Sequence, residues 1–91
     1  MADKIHCAHI LVKTEQEART VLDQLNKGGS FSKIALEKSL CPSKKKGGDL
    51  GIFGRGAMVR EFEQAAFNLQ RGQTSQPVKT EFGWHVIKRL E

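Results

Sequence analysis

Residues able to move protons or act as nucleophiles stand in unusual surroundings in this chain. His9 lies in His-Ile-Leu-Val-Lys, His85 in Phe-Gly-Trp-His-Val-Ile-Lys, and Cys41 in Cys-Pro-Ser, ahead of three lysines and Gly47-Gly48-Asp49-Leu50-Gly51-Ile52-Phe53. A metal site could use His6, Cys7, His9, Cys41 and His85, but no two show the close Cys-x-x-Cys or His-Glu-x-x-His spacing of a dedicated site, and His6 and His9 fall on opposite faces of a strand. A cysteine hydrolase could use Cys41 and His85, yet nothing marks an oxyanion hole or a group that orients the base. The two histidines could equally satisfy one another in the core and set the geometry of a sheet.

Ile5 to Val12 is an apolar run whose alternating sets are Ile5, Cys7, His9, Leu11 and His6, Ala8, Ile10, Val12, which predicts a strand buried on much of both faces. Thr14 followed by Glu17 is a capping box, and Ala18, Val21, Leu22 and Leu25 recur at helical spacing up to the stop at Gly28, predicting a helix from about Thr14 to Lys27. Ser30 caps a shorter helix carrying Phe31, Ile34 and Ala35 on one face and fading near Ser39. Pro42 opposes continuation, so Cys41 to Gly48 reads as an exposed loop. Leu50 to Phe53 is a very short strand; Phe62, Ala65, Ala66 and Leu69 predict a helix over about Val59 to Asn68. Pro77-Val78-Lys79 suits an edge strand, and Glu81-Phe82-Gly83 turns the chain into a last strand from Trp84 to Leu90, with Trp84, Val86 and Leu90 on one face and His85 and Ile87 on the other. The expected class is α+β: a four-stranded, mainly antiparallel sheet surrounded by about four helices in the order βαααβαββ.

With 91 residues, 38% of them hydrophobic and 27% charged, the chain suits a single domain over residues 1–91. The net charge of +5 aids solubility and needs no special partner. Lys44, Lys45 and Lys46 read most simply as a solvated loop, though they could favour an acidic group nearby through screened attraction; no aromatic stacking platform accompanies them, so nucleic acid is not expected as a partner. No run of about 18 apolar residues would cross a membrane. Met1-Ala2-Asp3-Lys4 leads into the first strand without the hydrophobic core of a signal peptide, and two cysteines read as thiols; a cytoplasmic monomer is the expectation. The glycine-rich segment lacks the Gly-Lys-Ser/Thr ending of a phosphate loop, so no nucleotide or other cofactor is implied. Those glycines instead suit tight turning and close backbone approach, with Asp49 accepting backbone hydrogen bonds.

Taken together, the His-Ile-Leu-Val-Lys segment, the Cys-Pro-Ser and Gly-Gly-Asp-Leu-Gly stretches and the Gly-Trp-His-Val-Ile segment resemble the parvulin-type peptidyl-prolyl cis/trans isomerases, over about Ile5 to Leu90. The resemblance implies the same α+β fold and catalysis of rotation about the bond preceding proline. It implies that His9 and His85 hydrogen-bond in tandem, aided by the hydroxyl of Thr80, as the polar floor of a site. Cys41 matches the family's active-site cysteine and Ser43 stands nearby; Leu50, Met58 and Phe62 match the residues lining the proline pocket, with Phe53 supporting its wall. Spacing alone would make Phe62 and Met58 ordinary core residues. Phe82 stands where some relatives carry serine, which makes that rim more apolar. Phosphate-directed members carry an arginine pair in a loop after the first strand, whereas here Lys13 runs directly into the Thr14 cap, so strict dependence on phosphorylated substrates is not implied.

The expected activity is therefore isomerisation of Xaa-Pro bonds in peptides and unfolded or folding protein clients, by non-covalent stabilisation of the twisted amide. The alternative is a non-catalytic module that grips proline-containing or unfolded segments in a chaperone-like role.

Overall fold

The structure, a computed structural model, describes residues 3–91; Met1 and Ala2, with the reading of the first residues as lacking a signal peptide, lie outside the described residues. The elements are β1 (Lys4–Val12), α1 (Glu15–Asn26), α2 (Phe31–Lys38), a 3-10 turn (Pro42–Lys46), β2 (Asp49–Gly54), α3 (Arg60–Asn68), β3 (Val78–Thr80) and β4 (Gly83–Arg89). The four strands form one sheet in the order β2-β1-β4-β3, every neighbouring pair antiparallel.

The helices begin where local chemistry starts them. Thr14 Oγ1 accepts the Glu17 amide at 3.1 Å and donates its hydroxyl to the Glu17 carboxylate, and Ser30 Oγ accepts the Lys33 amide at 3.4 Å. Among the described residues three α-helices form rather than about four, and the 3-10 turn takes the third helical place in the expected order. The segment from Cys41 to Gly48, expected as an exposed loop, winds instead into the 3-10 turn, because Pro42 at its first position has its φ already set for a helix and Gly47 closes it in the left-handed conformation, φ 70°.

β1 and β4 run side by side in the middle of the sheet, so both their faces are covered. Ile10, Val12 and Val86 pack with Ala18 and Val21 of α1 and Ile34 and Ala35 of α2. On the opposite face Ile5, Cys7 and Ile87 pack with Phe53 and with Phe62 and Ala66 of α3. The alternation within β1 thus divides the core into two halves.

The pairing of β1 with β2 slips by one residue. His6 faces Ile52 but Ala8 faces Asp49, so β2 carries an extra residue, accommodated by Gly51 at φ +75°. Leu50 and Phe53, three apart, would point to opposite faces of a regular strand; the bulge lets both pack against the α3 half of the core. Asp49 pins it, accepting the Gly51 amide at 2.7 Å and holding His6 Nε2 at 2.6 Å.

Where β2 ends, other groups satisfy the edge of β1: Gly48 O accepts the His9 amide at 2.9 Å, Ser39 Oγ accepts the Leu11 amide at 3.0 Å, and the Leu40 amide donates to Leu11 O at 2.8 Å. Gly48 comes so close that a Cβ there would lie 2.4 Å from His9 O, with φ at +87°. Gly48→Ala is therefore expected to cost about 2 to 4 kcal/mol from left-handed strain plus backbone displacement; a urea titration showing less than about 0.5 kcal/mol would contradict this packing.

Candidate active site

The α3 half of the core opens into a concavity of about 460 Å³. Its floor comes from β1 and β4, which contribute His9, Leu11 and His85; Leu40, Cys41 and Pro42 line it from the segment after α2, and Leu50 from β2. Ala57, Met58, Val59 and Phe62 come from the start of α3 and the loop before it, and Phe82 from the β3–β4 turn. No charged side chain lines it.

His9 and His85 stand 76 positions apart in sequence, yet register brings them together: Leu11 pairs with His85 and His9 with Ile87 across β1 and β4, placing the two rings on neighbouring rows of one face. They stack at 5.1 Å, with Nδ1 to Nδ1 at 2.9 Å. His85 Nε2 lies 2.7 Å from Thr80 Oγ1, which also accepts the Phe82 amide at 3.1 Å. The His9 Nε2 atom is buried without a partner. The arrangement that leaves no buried N–H unpaired puts His9's proton on Nδ1, donated to His85 Nδ1, and His85's proton on Nε2, donated to Thr80.

Phe62 meets both rings edge-on, at 5.5 and 5.2 Å, and is itself backed by Phe53 at 6.2 Å. Enclosed in this way, the pair resists charging. Burial, and for His9 the proximity of His85, lowers the His9 pKa to about 4, and burial lowers that of His85 to about 4. Both imidazoles are neutral at pH 7, hydrogen-bonding groups rather than cations.

Of the residues singled out from the sequence, His9, Cys41, His85, Leu50, Met58, Phe62 and Phe82 line one concavity. Thr80 stands behind His85 and Phe53 behind Phe62, each one layer out. Ser43 does not join them: its hydroxyl is buried without a partner within the 3-10 turn, and its carbonyl accepts the Gly48 amide. Sequence reasoning passed over Leu11, Leu40 and Ser39. Ser39 Oγ accepts the Cys41 amide at 3.3 Å as well as that of Leu11, and so fixes the approach to Cys41; a small polar residue just past the last turn of a helix is the only sign of it.

Among the described residues no group of three His, Cys, Asp or Glu side chains could hold a metal ion. Cys7, wholly buried, has its thiol pushed up to about 11 chiefly by burial. It is a packing residue. No helix among the described residues is long and apolar enough to cross a membrane.

Residues 9–91 match the model of the rotamase family, described as the PPIC-type PPIase domain. The chain is 55% identical over 86 residues to the foldase protein PrsA of Geobacillus kaustophilus, an alignment covering 93% of this chain and 31% of that protein. It thus spans about a third of the length of such curated relatives. Small proteins match end to end: the solution structure of NmPin, the parvulin of Nitrosopumilus maritimus, superposes with a TM-score of 0.90 at 48% identity, covering 100% of this chain and 99% of that one. CsPin, from the psychrophilic archaeon Cenarchaeum symbiosum, gives a TM-score of 0.87 at 58% identity, covering 100% and 95%.

Proposed function

The chain belongs to the PPIC-type peptidyl-prolyl isomerase family, the parvulins, and from that membership and the pocket we propose that it catalyses cis/trans rotation about Xaa-Pro bonds in peptides and in unfolded or folding proteins. The observation that carries this reading is the uncharged, largely apolar concavity with a neutral histidine pair at its floor.

Rotation of an amide costs about 18 to 20 kcal/mol because the planar form is held by charge-separated resonance, while the end states of a prolyl bond differ by only about 0.5 to 1 kcal/mol. No bond breaks, so no nucleophile is required. Leu50, Met58 and Phe62 offer a proline ring an apolar seat. Around it an apolar lining without charged side chains disfavours the polarised planar amide, and the twisted state loses less. Cys41 stands at the wall beside the amide. His9 and His85, supported by Thr80, keep the floor polar enough to be fully hydrogen-bonded on the His85 side yet uncharged. Ser43 and Phe53 act only through neighbours, the first on the path of the 3-10 turn and the second on Phe62.

The same proposal takes the protein as a cytoplasmic monomer, not strictly dependent on phosphorylated substrates. Its support is that Cys7 and Cys41 are free thiols, as a reducing compartment leaves them. In addition, two of the four large exposed apolar side chains among the described residues, Leu40 and Phe82, rim the pocket, which leaves little apolar surface there for a subunit interface.

NMR exchange spectroscopy on short Xaa-Pro peptides with catalytic amounts of protein tests the activity. Exchange should be accelerated, and Met58→Ala, scaled to the folded fraction because Met58 also packs against the core, should lower the acceleration roughly tenfold through lost apolar contact with the ring. Saturable peptide binding without faster exchange would replace the isomerase with a proline-binding module.

A further inference from the structure

Ala57, Met58 and Val59 reach the pocket from the loop between β2 and α3, and that loop has little of its own to hold it. Among the described residues the amides of its tip make two hydrogen bonds: Ala57 to Gly54 O at 3.4 Å, within the same turn, and Gly56 to Glu63 Oε1 at 2.5 Å. Nor does α3 fix the junction from its own start, since Val59 at the cap position offers no side chain to the free amides of the first turn. The bond from Gly56 to Glu63 is therefore the one that ties the tip of the loop to the helix behind it.

Glu63 is held from two sides. One carboxylate oxygen takes the Gly56 amide, the other faces the Arg55 guanidinium with Nη1 to Oε2 at 3.6 Å, and the side chain is only 18% exposed. A carboxylate with so little water left around it keeps its partners, because losing either leaves charge uncompensated. Gly56, at φ +90°, makes the turn that presents its amide to α3. Arg55 in its turn lies over the Phe67 ring at 4.2 Å, Phe67 meets Phe53 edge-on, and Phe53 backs Phe62. The contacts that hold the Met58 loop thus run on, through aromatic rings, to the other wall of the proline seat.

We propose that Glu63, steadied by Arg55, is a positioning residue for the reaction: it does not line the pocket, but it holds Met58 where a proline ring meets it. The assignment rests on the isomerase reading. A loop already in its working position takes substrate without first being ordered. Released, it occupies that position only part of the time, and the apparent affinity falls by the same fraction. Once the proline is seated the loop is where it has to be, and the barrier to rotation is unchanged. The mark of such a tether is a change in KM rather than in kcat.

Catalysed exchange of the peptide Ala-Leu-Pro-Ala over a range of concentrations tests this, each variant first being shown folded by its amide spectrum. Glu63→Ala is expected to raise KM roughly tenfold while kcat changes less than about twofold. Glu63→Asp keeps the charge but falls one methylene short of Gly56, and should behave as Glu63→Ala does. Glu63→Gln keeps an oxygen for the Gly56 amide and should stay within about threefold of the parent in KM. Glu61→Gln removes a carboxylate from an exposed position on the same turn of α3 and should alter neither constant. If Glu63→Ala does not fold, Glu63→Asp against Glu63→Gln carries the same comparison. A fall in kcat at unchanged KM, no change in either constant, a Glu63→Gln as impaired as Glu63→Asp, or an equal loss in Glu61→Gln would overturn the tether and leave the isomerase standing. Absence of catalysed exchange in the parent protein would remove the isomerase instead; the dissociation constant of the same peptide, from amide chemical-shift titration, then takes the place of KM, and a roughly tenfold weakening in Glu63→Asp that Glu63→Gln does not share still upholds the tether, while equal affinities overturn it.

Discussion

Phe62→Ala should cost this protein both its activity and much of its stability. The ring is 3% exposed, stands edge-on over both histidines and leans on Phe53, so truncation opens a cavity at the junction of core and pocket. Buried Phe→Ala changes cost about 3 to 5 kcal/mol. A domain of this length has about 5 to 14 kcal/mol to lose, so the melting temperature should drop by on the order of 15 °C. Catalysed exchange, measured at low temperature and scaled to the folded fraction, should fall by about two orders of magnitude, because the ring also forms the wall against which proline packs. Phe62→Leu, which keeps most of the volume, should regain most of the stability and only part of the activity. If Phe62→Ala kept its exchange rate per folded molecule, the proline seat would have to be elsewhere.

Acid should unfold the protein through its histidine pair. His9 and His85 titrate near 4 in the fold but at about 6.5 when the chain is unfolded. As pH falls below 6.5 the unfolded state takes up protons that the folded state refuses. The stabilisation is thus complete above 6.5 and is lost progressively as pH falls toward 4. Each pKa unit is worth about 1.4 kcal/mol, so the pair withdraws several kcal/mol, on the order of half the stability of a small domain. Asp49 works in the same direction at lower pH: the His6 hydrogen bond, then the Gly51 amide, hold its carboxyl below the ordinary value, and that contribution is lost only once the carboxylate itself protonates. Urea midpoints from pH 7 to 4.5 should decline steeply while the His9 and His85 ring resonances of the folded protein stay in their neutral positions. A flat stability profile over that range, or His9 and His85 ring resonances titrating near 6.5 in the folded protein, would mean that the pair is wet.

The features legible in the sequence are those that a few neighbouring residues decide. Thr14 and Glu17, Ser30, and the spacing of Ala18, Val21, Phe62 and Ala66 each specify a helix start or face through contacts made within a turn or two. The alternation in β1 likewise separated Cys7 and His9 from Ala8 and Ile10. Other features depend on partners far along the chain. The β2 bulge exists because His6 and Asp49, 43 positions apart, meet across two strands. The 3-10 turn holds its place because Gly48 and Ser39 take over the edge that β2 leaves free. Nothing in the periodicity of Cys41 to Gly48 announces either partner, and so the segment read as a loop. Family resemblance gathered Leu50, Met58 and Phe62 into a pocket, where spacing alone had them as core. The packing makes Phe62 both.

The central pairing of β1 with β4 bears on how the protein comes into being. Nearly the whole chain separates the two strands, and the histidine pair spans 76 residues of it. During synthesis the first strand leaves the ribosome with one of its two neighbours still untranslated, and the helices that flank it have only half a sheet to cover. Contacts of such long sequence separation form late and slowly, since the closing of a large loop precedes any gain from it. A nascent chain ending before Gly83 therefore holds Phe62 and Met58 but neither a complete sheet nor a paired His9. The site is therefore the last part of this domain to be assembled, and a chain that has not yet reached β4 carries the wall of the pocket without its floor.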